Sequence, residues 1–136
     1  MLFSTWHLWA LDKESTTKMY HHVFHTLTNK DTIKLYTKDR EYIQAFNGYE
    51  HIGIVHNIRN ADVILVTEED ELSKLVSLPK QILFATSYTL LKKNNNIVGA
   101  LYWRKGRSQL VFIKDRLEKH DIVLPSAYHK FIIERP

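Results

Sequence analysis

IVGALYWRKGRSQLVFIK, residues 97–114, decides the fold. Two apolar runs flank Arg104-Lys105-Gly106-Arg107, and the glycine offers the positive φ that a tight reversal needs. Both runs alternate with the period of a strand. Val98, Ala100 and Tyr102 are expected on one face, and Gly99, Leu101 and Trp103 on the other. On the return, Leu110 and Phe112 oppose Val111 and Ile113. A β-hairpin with both faces at least partly buried is the reading this pattern supports.

Upstream, the run ADVILV at 61–66 has the unbroken apolar character of a strand buried on both faces of a parallel or mixed sheet. QILFAT at 81–86, TIKLYT at 32–37 and HIGIV at 51–55 read as further strands. Helices are expected between them. At 12–29, Tyr20, Val23, Phe24 and Leu27 recur at helical spacing. At 38–47, Tyr42, Ile43 and Phe46 face inward and Gly48 ends the turn. The segment 67–75 carries acids in its first turn, where a helix dipole favours them. Short helices are expected at 87–93, 115–120 and 126–132. Strand and helix alternate, so the fold class is α/β. The expectation is one three-layer domain over 12–136. It has a mixed sheet of five to six strands, helices on both faces, and a C-terminal β-hairpin followed by short helices.

At 136 residues, 44% hydrophobic and 25% charged, the chain can build a real core. It has no cysteine, which excludes disulfides, thiol catalysis and cysteine-held zinc. The net charge of +4 is dispersed and forms no compact basic patch with interleaved aromatics, so nucleic acid is not expected as a partner. Residues 1–11 begin with MLFSTWHLWA, apolar and aromatic up to Ala10, then turn polar. They read as a signal peptide ending near Ala10 or as an N-terminal arm.

No G-x-S-x-G, H-E-x-x-H or phosphate-cradling loop occurs, so neither a catalytic set nor a cofactor is expected and the chain reads as a non-enzyme. Asp62 is read as capping or pairing at a strand start. Three strand ends carry hydroxyls: Thr37, Thr67 and Thr86-Ser87. In an open α/β sheet, ligands sit beyond the carboxyl ends of the strands, so these four residues are candidates for a small polar ligand. The same residue types also serve as ordinary helix caps. His21 and His25 lie one helical turn apart and could share a metal ion if a further ligand such as His22, Glu14, His51, His56 or His129 joins them. Otherwise they form a polar helix face. Tyr102, Trp103, Arg104 and Arg107 combine aromatic and guanidinium groups at a hairpin tip, the chemistry that concentrates at protein interfaces. Alternatively, the two aromatics belong to the core.

The order of these parts resembles the YfiR-like periplasmic family. The likeness lies in ADVILVT, QILFATS, the hairpin around Lys105-Gly106-Arg107 and the tail FIKDRLEKHDIVLPSAYHKFI. It implies a periplasmic α/β domain that regulates a membrane-bound signalling protein, a diguanylate cyclase or histidine kinase, by direct contact. Family members carry disulfide-forming cysteines; this chain has none, so redox control is not implied. The layout also resembles one lobe of a periplasmic solute-binding protein. The expected function is therefore a non-enzymatic sensory or regulatory domain, with a small polar ligand as modulator and a homodimer left open. Two alternatives stand: a solute-binding protein for a small anion or polar molecule, and a cytoplasmic flavodoxin-like signalling domain.

Overall fold

The structure, a computed structural model, describes residues 13–75 and 80–136. The segment 1–11, read above as signal peptide or arm, lies outside the described residues.

Helix α1 (Lys13–Thr28) leads into β1 (Ile33–Tyr36), α2 (Arg40–Phe46) and β2 (Ile52–Ile54). A 3₁₀ turn (Ile58–Asn60) precedes β3 (Val63–Val66), and a second (Glu69–Lys74) follows it. Then come β4 (Ile82–Ala85), α3 (Tyr88–Lys93), β5 (Ile97–Arg104), β6 (Arg107–Ile113) and α4 (Lys114–Lys119). A 3₁₀ segment (Ser126–Phe131) and β7 (Ile132–Ile133) close the chain. The strands form one sheet in the order β2-β1-β3-β4-β5-β6-β7. Pairing is parallel from β2 to β5, antiparallel between β5 and β6, and parallel again between β6 and β7.

Among the described residues the sheet thus has seven strands, more than the five to six expected. The extra strand is β7, in a tail whose Tyr128, Phe131 and Ile132 imitate helical spacing. That segment is 3₁₀ up to Phe131, and its last two residues pair with Phe112 and Ile113. The acidic segment after β3 is likewise a 3₁₀ turn rather than an α-helix.

Two apolar clusters lie on the two faces of the sheet. One gathers the α1 stripe Tyr20, Val23, Phe24 and Leu27 with Phe46, Ile33, Leu35, Val63, Leu65, Phe84 and Phe112. The other joins Ile64, Val66, Leu83, Ala85 and Val111 to Leu90 and Leu91 of α3 and to Leu75. Consecutive β3 residues divide between the two clusters, so β3 is buried throughout. Each fully buried aliphatic or aromatic side chain contributes about 1.5–3 kcal/mol relative to exposure. Tyr20 anchors the first cluster. It is fully buried, and its hydroxyl lies 3.4 Å from both the Leu101 carbonyl oxygen and the Tyr42 hydroxyl. Phe24, Tyr42, Phe46 and Phe84 surround it at 5.6–6.5 Å between ring centroids.

The hairpin forms over the expected residues, with Lys105 (φ 53°) and Gly106 (φ 78°) as its two-residue turn. The facing expected for β5 needs correction. The β4–β5 register runs Leu83↔Ile97 and then Phe84↔Gly99, leaving Val98 as an extra residue. This bulge resets the alternation. Val98 joins Leu101 in the first cluster, whereas Ala100 packs into the second and Tyr102 against it. Gly99 is held to glycine by close approach. A Cβ there would meet the Val111 carbonyl oxygen at 2.6 Å and the Phe112 ring at 2.8 Å.

Candidate functional site

The strand order 2-1-3-4-5 reverses direction between β1 and β3, so a ligand crevice is expected at the carboxyl ends of these two strands. The hydroxyls named from sequence lie along this edge, and each is used locally. Thr37 Oγ1 accepts from the Asp39 amide at 3.3 Å, and Asp39 caps α2 by accepting from Glu41 N and Tyr42 N. Thr67 donates from its amide and its hydroxyl to Glu71 Oε1, both at 3.1 Å. Thr86 Oγ1 donates to the Val66 carbonyl at 3.4 Å, and Ser87 Oγ accepts from Leu90 N at 3.2 Å as the cap of α3. A cavity of about 90 Å³ sits beside Thr67, lined by Asp39, Glu68, Asp70 and Glu71 with Lys38 and Lys74. Four carboxylates against two lysines make it inhospitable to an anion, and its volume is well below that of common ligand pockets. On α2, burial and the neighbouring Asp39 push the Glu41 carboxyl above its usual range. Glu41 Oε2 is buried without a hydrogen-bond partner among the described residues.

His21 and His25 come together with a residue that sequence spacing could not place beside them. The ring of His51, in the turn just before β2, stacks on His21 at 4.9 Å and 25°. His25 and His22 stand 6.3 and 6.0 Å from His21 between ring centroids. His21 Nε2 lies 2.9 Å from the Asp31 carbonyl and His25 Nδ1 2.8 Å from that of Lys30. A carbonyl only accepts, so both nitrogens carry hydrogens and each ring keeps one nitrogen for anything else. Among the described residues, no group of three or more metal-ligating side chains could hold an ion. The pair ties the end of α1 to the loop that follows it.

A depression of about 780 Å³ opens at the opposite end of the strands, among Lys30, Asp62, Lys80, Gln81, His120 and Asp121. Asp62 organises its floor. One carboxylate oxygen holds Lys30 Nζ at 2.8 Å, and the other accepts from the Lys34 amide at 2.9 Å. This is the pairing role expected of Asp62. The depression draws on loops far apart in sequence, which is why no motif announced it.

The hairpin tip is the remaining candidate. β4 pairs with β5 only as far as Ala100, and β7 pairs with β6 only at Phe112 and Ile113. The ribbon between therefore projects past its neighbouring strands. Residues 103–108 are all exposed, and Trp103 retains 38% of its surface. Arg104, Lys105 and Arg107 carry no ion pair among the described residues. Tyr102 sits differently. It is half-buried against Tyr88, with ring centroids 6.0 Å apart, and belongs with the second cluster.

Among the described residues, no helix is long and apolar enough to cross a membrane. Neither a protein-family model nor a curated protein matches the chain.

Proposed function

We propose that this chain is a non-enzymatic sensory or regulatory domain of YfiR-like type. In this reading it works in the periplasm and binds a membrane-bound signalling protein, a diguanylate cyclase or histidine kinase, through the tip of its β5–β6 hairpin. One observation carries the reading: an indole and three cations, without ion-pair partners among the described residues, stand together on a projecting ribbon. Aromatic and arginine side chains of this kind dominate the energetics of protein interfaces. The strand-end hydroxyls are already engaged in hydrogen bonds within the chain, which weakens the case for a solute-binding protein. A small polar ligand remains a modulator in this reading, not the principal partner.

The test is in-cell photo-crosslinking in the native host from a benzoylphenylalanine placed at Lys105. The expected adduct is a membrane protein bearing a cyclase or kinase domain. It should disappear with Trp103→Ala or with Arg104→Glu combined with Arg107→Glu. Absence of any specific adduct at the tip would remove the reading.

One observation favours a second reading, a cytoplasmic flavodoxin-like signalling domain: the order of the first five strands is the flavodoxin-like one. Intact mass of the protein from its native host separates the two, because cleavage near Ala10 accords only with export.

A further inference from the structure

We propose that the outer edge of β6, at Ser108 and Leu110, takes up an acidic, extended segment of the partner protein as an added β-strand. This rests on the reading of the hairpin as the partner-binding element.

Hydrogen-bonded and non-hydrogen-bonded pairs alternate along an antiparallel ladder. The two-residue turn closes on Arg104↔Arg107, so that pair exchanges bonds, as do Tyr102↔Gln109 and Ala100↔Val111. Ser108 and Leu110 fall between them and direct their amide and carbonyl groups away from β5. The rest of the ladder agrees with this phase. Phe112, next in the series, is where β7 joins on the same side. Its partner Gly99 is where β4 pairs with β5. On the β5 edge the outward carbonyl of Leu101 is taken by the Tyr20 hydroxyl. At Ser108 and Leu110, no backbone partner exists among the described residues.

An unpaired strand edge is a template for another chain's extended backbone. Charge chooses among occupants. The run 97–114 contains Arg104, Lys105, Arg107 and Lys114 and no acidic residue. A segment rich in Asp or Glu would neutralise the tip. A second copy of this chain would instead set basic residue beside basic residue, which is unfavourable across strands. Trp103 lies directly opposite the small Ser108, so aromatic surface flanks the open edge.

The probe is a labelled, end-blocked peptide of alternating Glu and Val, with the Lys–Val peptide as control. The acidic peptide should bind, weaken as salt rises, and slow amide hydrogen exchange at Ser108 and Leu110 in the wild-type protein. Ser108→Pro removes one outward donor without touching a β5–β6 bond, and should lower affinity about tenfold or more. Thermal melts check that this variant folds, and the exchange measurement needs no variant at all. The proposal fails if the acidic peptide does not bind. It fails equally if binding leaves both amides unprotected and Ser108→Pro silent, which would mean charge attraction alone. Concentration-dependent dimers abolished by Ser108→Pro would hand the edge to a second copy and also overturn it. If the tip still captures its partner fully in the Ser108→Pro protein, strand addition is wrong while the proposed function stands. If the peptide protects both amides but the tip yields no adduct in cells, the edge site stands and the partner reading falls.

Discussion

The guanidinium of Arg116 donates from Nη1 to the carbonyl oxygen of Leu91 at 2.8 Å, and the same nitrogen reaches the carbonyls of Asn94 and Ile97 at 3.1 and 2.9 Å. Arg116 is buried, and no carboxylate pairs with it among the described residues. Burial lowers its pKa. The negative end of α3 and the connection into β5 supply the compensating dipoles. α4 is thereby pinned to the loop from which the hairpin strand departs. Arg116→Met, which leaves three carbonyls without this donor, should cost about 3 kcal/mol in urea unfolding. Arg116→Lys keeps the charge but not the fork and should lose part of that. A loss below about 0.5 kcal/mol for the methionine variant would put it in the range of ordinary surface changes and show the network to be incidental.

Gly99→Ala should destabilise by about 1–3 kcal/mol, the usual range for overpacking. The offending atom nearest the new methyl is a backbone oxygen, Val111 O at 2.6 Å, which cannot rotate away. Gly53→Ala is the control, because nothing lies within 4 Å of a Cβ there and its φ is not positive. Removing backbone freedom at Gly53 should be neutral or stabilise by about 0.5 kcal/mol. Paired thermal melts read the contrast. Equal melting temperatures for the two variants would contradict the close approach of β6 to Gly99.

The hairpin, the α1 stripe and the doubly buried β3 were legible in the sequence, because each shows as a local pattern: alternation around a turn, helical spacing and an unbroken apolar run. The bulge at Val98 was not. Alternation through 98–103 reads the same with or without an extra residue, and only the pairing of Phe84 with Gly99 reveals it. β7 was hidden for a related reason: two residues are too few to show a period, and they pair only because Phe112 and Ile113 leave an edge beside them. At the candidate sites, residue types could be named but not their employment. Thr67 looked the same in sequence whether its hydroxyl faced a ligand or Glu71. The Arg116 network and the His21–His51 stack join residues too distant in the chain for any spacing rule.

Burial, more than its neighbour Asp39, raises the pKa of Glu41. The folded chain therefore holds this proton at pH values where the unfolded chain has released it. The stability this contributes is complete below about 4.5, the unfolded value, and is lost as pH rises through the folded value. Glu41→Gln should accordingly be more stable than the wild type at pH 7, with the difference vanishing toward pH 4. Urea midpoints at the two pH values decide it. A glutamine variant weaker at pH 7 would mean that the ionised carboxylate has a stabilising partner.

His120 has the opposite dependence. Burial lowers its pKa, with Asp121 offsetting part of the effect. Below about 6.5 the unfolded chain binds a proton that the folded chain resists. Stability is thus lost as pH falls from that value through the folded one. His120→Asn should flatten this part of the profile relative to the wild type. Taking the difference between the two proteins cancels the other seven histidines of the chain. Superimposable wild-type and variant profiles between pH 7 and 5 would show that His120 titrates alike in both states.

Because residues 103–108 are exposed, the hairpin tip can be altered with little effect on folding. Trp103→Ala removes one cross-strand contact with Ser108, worth about 0.2–1 kcal/mol. Charge reversal at Arg104 and Arg107 breaks no ion pair among the described residues and should change stability by less than about 0.5 kcal/mol. Partner capture should respond far more strongly, since truncating an interface hot spot costs about 2 kcal/mol or more, roughly thirtyfold in affinity. Tyr102→Ala is the contrasting case, because Tyr102 packs on Tyr88 and the second cluster. Its principal loss should appear in the melting temperature. The measurements are thermal melts alongside crosslinking yield for all three proteins. If Trp103→Ala lowers stability as much as Tyr102→Ala and leaves capture intact, the exposed indole is a packing residue and the tip is not the interface.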